Sequence, residues 1–151
     1  MKLAEALAIR ADHQKRLEQI KSRLIRNAKV QEGENPAEDP EALIVEFEHL
    51  ASELVQLICR INLSNSIATV VGRTMTQALA ERDILKKRQS MYRDLAQAAT
   101  VTQSISTKSE VRFKGTVTVS AMQKMADTAS RELRELDARI QEANWLIELS
   151  E

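Results

Sequence analysis

The sequence predicts a mainly α protein: four long amphipathic helices in two antiparallel hairpins, a coiled-coil-like bundle with a small two-stranded β element. Three observations predict it. The 151 residues include only three glycines and two prolines, which leaves material for few turns and therefore long elements. Aromatic residues are only 3% of the chain, while Leu, Ala, Ile, Glu, Arg and Gln dominate, the usage of helix bundles. Apolar residues recur at alternating steps of three and four in four separate stretches. The length suits a single domain over 1–151.

Helix one is predicted over about 2–30, because Leu3, Ala6, Arg10, His13, Leu17, Ile20, Leu24 and Asn27 fall on one stripe. Gln31 to Pro40 has no periodicity and holds the turn residues Gly33 and Pro36, so it reads as an exposed loop. Asp39 and Pro40 restart the helix: the aspartate can accept from orphan backbone N–H groups, and proline at the first helical position loses no hydrogen bond. Helix two, about 40–61, holds the cleanest repeat, with Leu43, Phe47, Leu50, Leu54, Leu57 and Ile61 along one seam. Asn62 to Ser66 is expected to break it. Ile67 to Val71, largely β-branched and closed by Gly72, is expected to form a short strand.

Thr74 and Gln77 match a capping box opening helix three, about 75–99, with a seam through Met75, Ala78, Arg82, Leu85, Gln89, Tyr92 and Ala99. Thr100 to Ser109, rich in Thr and Ser, reads as a loop. Over 110–119, Val111, Phe113, Val117 and Val119 alternate with polar residues about Gly115, which predicts a strand pairing with 67–71 inside the chain or across subunits. Ser120 and Gln123 form a second capping box. The last helix, about 121–148, presents Ala126, Ala129, Leu133, Leu136, Ile140, Ala143 and Ile147 as its seam.

The charges cancel, with 22 basic and 22 acidic residues, so no net field draws in nucleic acid or an anionic membrane. Lys86, Lys87, Arg88 and Arg93 cluster on helix three as an RNA-binding arm would require, but a run of that size reads as a solvated face. The apolar runs are far shorter than the roughly 20 residues that span a bilayer as a helix. Glu5 and Arg10 interrupt the N-terminal apolar residues, so no secretion signal is expected there. Cys59, the one cysteine, cannot form an internal disulfide and is expected to pack as a small core residue, which predicts a reducing, cytoplasmic setting.

Glu46 and His49 have the spacing that lets one helix aim a carboxylate and an imidazole at a metal. A di-iron bundle needs a second such pair, and the other histidine, His13, has Arg10 at the matching position. The two are therefore weak metal candidates, and no metal or cofactor is expected. Arg10 and His13 interrupt an apolar stripe, where a buried charge needs a partner. That predicts a compensating carboxylate, a seam that opens to solvent there, or a polar cluster of Arg10, Asp12 and His13 with Arg82 and Asp83. Asn144 and Trp145, the latter the one tryptophan, are read as an interface anchor. No nucleophile motif, phosphate loop or zinc spacing occurs, so enzyme chemistry is unsupported and no catalytic residue is assigned.

The runs MKLAEALAIRADHQKRLEQIKSRL, NAKVQEGENPAEDP, INLSNS, GRTMTQALAERD and IQEANW together resemble the septicolysin-like family of small bacterial proteins over nearly the whole chain. The resemblance implies a mainly helical bacterial protein with no established enzymatic role, and the family name implies a membrane-active cytolysin. Physically the expected function is a structural or interaction protein, a homo-oligomer joined through its helical seams and able to bind a further protein, because four long seams offer more apolar stripe than one hairpin pair covers.

Overall fold

The computed structural model describes residues 1–101 and 111–151. Among these it holds four α-helices and one two-stranded antiparallel sheet, in the order α1 (Leu3–Arg26), α2 (Pro40–Ile67), β1 (Thr69–Val70), β2 (Arg73–Thr74), α3 (Met75–Ala99) and α4 (Val119–Leu146). The mainly α class predicted from the seams is the one observed. The described residues group into two compact units, one of 1–69 with 142–151 and one of 70–141, so the chain leaves the first within β1 and re-enters it within α4.

In the first unit α1 and α2 pack as a hairpin. Ile20, Leu43 and Leu50 form a buried cluster with Leu17, Leu24 and Phe47 against it. Every residue of the predicted α2 seam is buried or half-buried, from Leu43 to Ile61. α1 stops at Arg26, four residues short of the expected end. Asn27 turns back at its C-cap, where Nδ2 donates to the Arg23 carbonyl at 2.9 Å and Oδ1 accepts from the Glu38 backbone N–H at 3.1 Å. α2 starts where expected, with Asp39 accepting from the Glu41 N–H at 3.1 Å and Pro40 in the first turn.

The break expected at Asn62 to Ser66 does not occur. Ser64 Oγ donates to the Arg60 carbonyl at 3.0 Å and Ser66 Oγ to the Leu63 carbonyl at 2.7 Å, so the hydroxyls are satisfied inside a continuing helix. Cys59, expected in the core, is exposed on α2.

The first unit is completed by the segment after α4. Leu3 N–H donates to the Ile147 carbonyl at 2.9 Å and Leu149 N–H to the Met1 carbonyl at 2.8 Å, an antiparallel bridge centred on Lys2 and Glu148. Ser150 N–H donates to the buried Ser64 Oγ at 2.8 Å, and Arg60 Nε donates to the Ser150 carbonyl at 2.9 Å. Leu149 is buried beside these bonds.

The β element differs from expectation in its pairing. β1 pairs with β2, the next segment of chain, across the two-residue turn Val71-Gly72, whose φ values of 50° and 78° are those of a type I′ hairpin turn. The strand expected over 110–119 is absent from its described part. Val111 and Phe113 point into solvent, Phe113 at 81% exposure, and Val119 is already the first residue of α4. Alternation marks a strand only where a sheet edge receives it, and β2 already pairs β1. Glu110 and the expected loop beyond Val101 lie outside the described residues.

In the second unit the capping box of α3 forms as predicted: Thr74 Oγ1 accepts from Gln77 N–H at 3.2 Å and Gln77 Oε1 from Thr74 N–H at 3.0 Å. The buried seam of α3 runs through Met75, Ala78 and Leu85 and ends on Ala96. α4 begins at Val119, not at a cap on Ser120, because the Thr118 carbonyl already accepts from Met122 N–H at 3.1 Å. Arg82 Nη1 donates to Asp137 Oδ1 at 3.4 Å and Gln89 Nε2 to Ser130 Oγ at 2.6 Å, so seven residues up α3 match seven residues down α4 and the pair is antiparallel.

Candidate interaction surface

The antiparallel register of α3 and α4 builds an open groove of about 920 Å³ within the second unit. Its floor is apolar, with Leu85 and Leu136 buried beneath and Ile84 46% exposed at the surface. Its rims are charged. α3 contributes Glu81 and Arg88, α4 contributes Glu132, Glu135 and Arg139, and Arg73 of β2 pairs with Glu81 at 2.9 Å at one end. By the register, Glu81 lies level with Ala138 and Arg139, and Arg88 level with Arg131 and Glu132. Each end of the groove therefore sets an acid on one helix across from a base on the other. Of these rim residues the sequence drew notice only to Arg88, within a basic run read as a solvated face. The signal was present, since a Glu followed seven residues later by an Arg occurs on both helices flanking a seam leucine.

In the first unit the outer side of α2 carries large aliphatic residues among polar ones such as Glu48, His49, Ser52 and Gln56. Ile44, Val45, Val55, Leu63 and Ile67 are each at least 45% exposed, whereas the opposite seam is buried. At the end of α4 the helical turn separates the two residues read as an anchor. Asn144 is buried, and Trp145 faces outward at 62% exposure beside the equally outward Leu146.

Arg10, Asp12 and His13 sit on α1 in the first unit, and Arg82 and Asp83 on α3 in the second. Asp12 is exposed. The carboxylate expected to compensate the stripe does not reach Arg10 Nε or His13 Nδ1, which are buried without a hydrogen-bond partner. Arg82 is partnered by Asp137, with Asp83 Oδ1 3.7 Å from its Nε. A buried polar atom left unpaired costs about 1–3 kcal/mol, and replacement by apolar groups of similar shape can recover it. The double substitution Arg10→Leu and His13→Leu is therefore expected to raise the unfolding free energy by about 1 kcal/mol or more in urea titration.

Glu46 and His49 are both exposed, and His49 Nδ1 approaches Glu53 at 3.7 Å. No group of three metal-ligating side chains forms among the described residues.

Two carboxylates are tuned by ion pairs. Hydrogen bonding from Arg23, whose Nε reaches both Glu38 oxygens at 3.1 Å, holds Glu38 below the ordinary glutamate range. Hydrogen bonds from Lys2 Nζ, 2.5 Å away, and from the N-terminal ammonium at 3.2 Å do the same for Glu148. Both folded values lie below the unfolded one, so the stabilisation is complete above the unfolded pKa of about 4.3 and is lost as pH falls through the folded values. Melting temperature is expected to drop over that acid window in the wild type. The drop should be shallower in a Glu38→Gln, Glu148→Gln variant followed by circular dichroism.

A solved structure described as a functionally unknown conserved protein from Corynebacterium diphtheriae is similar over 99% of this chain and 99% of its own, at 40% identity and a TM-score of 0.92. No curated protein matches the sequence. The model of the family of unknown function DUF6847 matches residues 10–149, and the chain belongs to that family.

Proposed function

We propose that this protein is a non-enzymatic structural or interaction module that self-associates through its helix faces. The outer side of α2 carries the reading. Five large aliphatic side chains stand in water along one helix, each at least 45% exposed, while the seam opposite them is buried. Such side chains gain by meeting a second surface, since burial of apolar area is worth about 25 cal/mol per Å². Outward Trp145 and Leu146 add the kind of anchor that interfaces favour.

Multi-angle light scattering over a concentration series tests this. A mass of at least twice 17.0 kDa at micromolar concentration is expected, and Val55→Lys should reduce it. A monomer throughout that range would overturn the reading. The cytolysin reading implied by the family resemblance has its own test in dye release from liposomes. No described helix is long and apolar enough to cross a membrane.

A further inference from the structure

We infer that the α3–α4 groove is a docking surface for the same groove of a second copy of this chain. This rests on the self-association reading and names a second surface for it, beside the outer side of α2.

The occupant follows from the charges. A two-fold interface must be complementary to itself, because each copy offers the same patch. If two hairpins meet face to face about an axis across the helices, α3 lies antiparallel on the partner copy's α3, and Glu81 of each meets Arg88 of the other. The same operation brings Glu132 and Arg139 of the two α4 helices together. About an axis along the helices, α3 lies over α4 of the other copy, and the register pairs Glu81 with Arg139 and Arg88 with Glu132. Both dockings set unlike charges together at each end and Ile84 over an apolar floor in the middle. A groove evolved for a strongly acidic or basic partner would carry one sign. This one carries Arg73, Arg88 and Arg139 against Glu81, Glu132 and Glu135.

A second observation points to the same face. Val71 lines the groove in the left-handed region at φ 50°, a position where asparagine or glycine is favoured. A β-branched side chain is strained there and gains nothing from water at 64% exposure. Its methyl groups extend the apolar floor toward whatever covers it.

Charge reversal with mixing provides the test. Variant one carries Glu81→Arg and Glu132→Arg; variant two carries Arg88→Glu and Arg139→Glu. In either docking each variant meets itself with like charges, so each alone is expected to self-associate about tenfold or more weakly than wild type in sedimentation velocity. Mixed in equal amounts they should restore association, because every reversed charge then meets its opposite. Circular dichroism of each variant checks that the helices are retained, and recovery on mixing cannot come from a misfolded chain. Wild-type self-association with both variants unaffected, or weakened without recovery on mixing, would overturn the groove assignment and leave self-association through another face standing. A monomeric wild type would overturn both.

Discussion

Truncating Ile61 to alanine is expected to lower the unfolding free energy by about 2–5 kcal/mol, the range for removing a buried branched aliphatic side chain without collapse of the site. Ile61 is fully buried at the end of the α2 seam, four residues after Leu57 and three before the buried Ser64. Its neighbours cannot close the space cheaply. Ser64 is held by the Ser150 N–H and its own bond to Arg60, so the backbone on that side is fixed by hydrogen bonds. Val55 on the outer face supplies the contrast. At 61% exposure its truncation to alanine should change stability by less than about 0.5 kcal/mol at concentrations dilute enough to keep copies of the chain apart. Urea titration of both variants measures the difference. Equal effects would mean that the two sides of α2 are not distinguished as described.

Ending the chain at Leu146 is expected to cost about 3–6 kcal/mol, since it exposes the Leu149 site and removes, among others, the hydrogen bonds donated by Leu3, Leu149, Ser150 and Arg60, worth about 1 kcal/mol each. Two groups suffer beyond that average. Ser64 Oγ loses a donor in a buried position, and Leu3 N–H, in the first turn of α1, loses the Ile147 carbonyl. For a chain of this size the change corresponds to a fall in melting temperature of about 10 °C or more. Ser64→Ala separates the contributions. It leaves Leu149 and the bridge in place and should cost about 1–3 kcal/mol by stranding the Ser150 N–H. A truncated chain that melts with the full-length protein would show that the last residues do not hold α1 and α2 as drawn.

The helices were legible because their signals are local. Asp39 with Pro40 and Thr74 with Gln77 each satisfy backbone groups within one turn, and the structure places both caps where the sequence does. The seams were legible for the same reason, since every fourth and third residue of α2 from Leu43 to Ile61 turns inward. Errors arose where a local pattern has two physical outcomes. The serines at 64 and 66 favour turns when their hydroxyls bond elsewhere, but here they bond back to the preceding turn and the helix continues. Alternating valines after 110 fit a strand, yet no described edge receives them, and Phe113 stays in water. Thr118 and Ser120 both resemble a helix start, and the earlier residue prevails because its carbonyl takes the first bond.

The candidate surface was less legible than the fold because it depends on register. Glu81, Arg88, Glu132 and Arg139 look like ordinary solvated charges until Arg82–Asp137 and Gln89–Ser130 align the two helices. The polar residues that drew attention on the α1 stripe proved to be the opposite case. Arg10 and His13 stand out in sequence, but the structure gives their buried nitrogens no partner. Trp145 stands out in the sequence by its rarity, while its outward direction follows only from the helical phase that buries Asn144.

The bridge between Lys2 and Glu148 sets the order in which this polypeptide can finish folding. One unit is interrupted in sequence: its first 69 residues leave the ribosome well before residues 142–151, with residues 70–141 of the other unit made in between. Loop-closure entropy makes contacts of such separation late and slow. During synthesis the amino-terminal hairpin therefore waits for the partners that Leu3 and Ser64 find in residues 147–150, while the other unit is made in between.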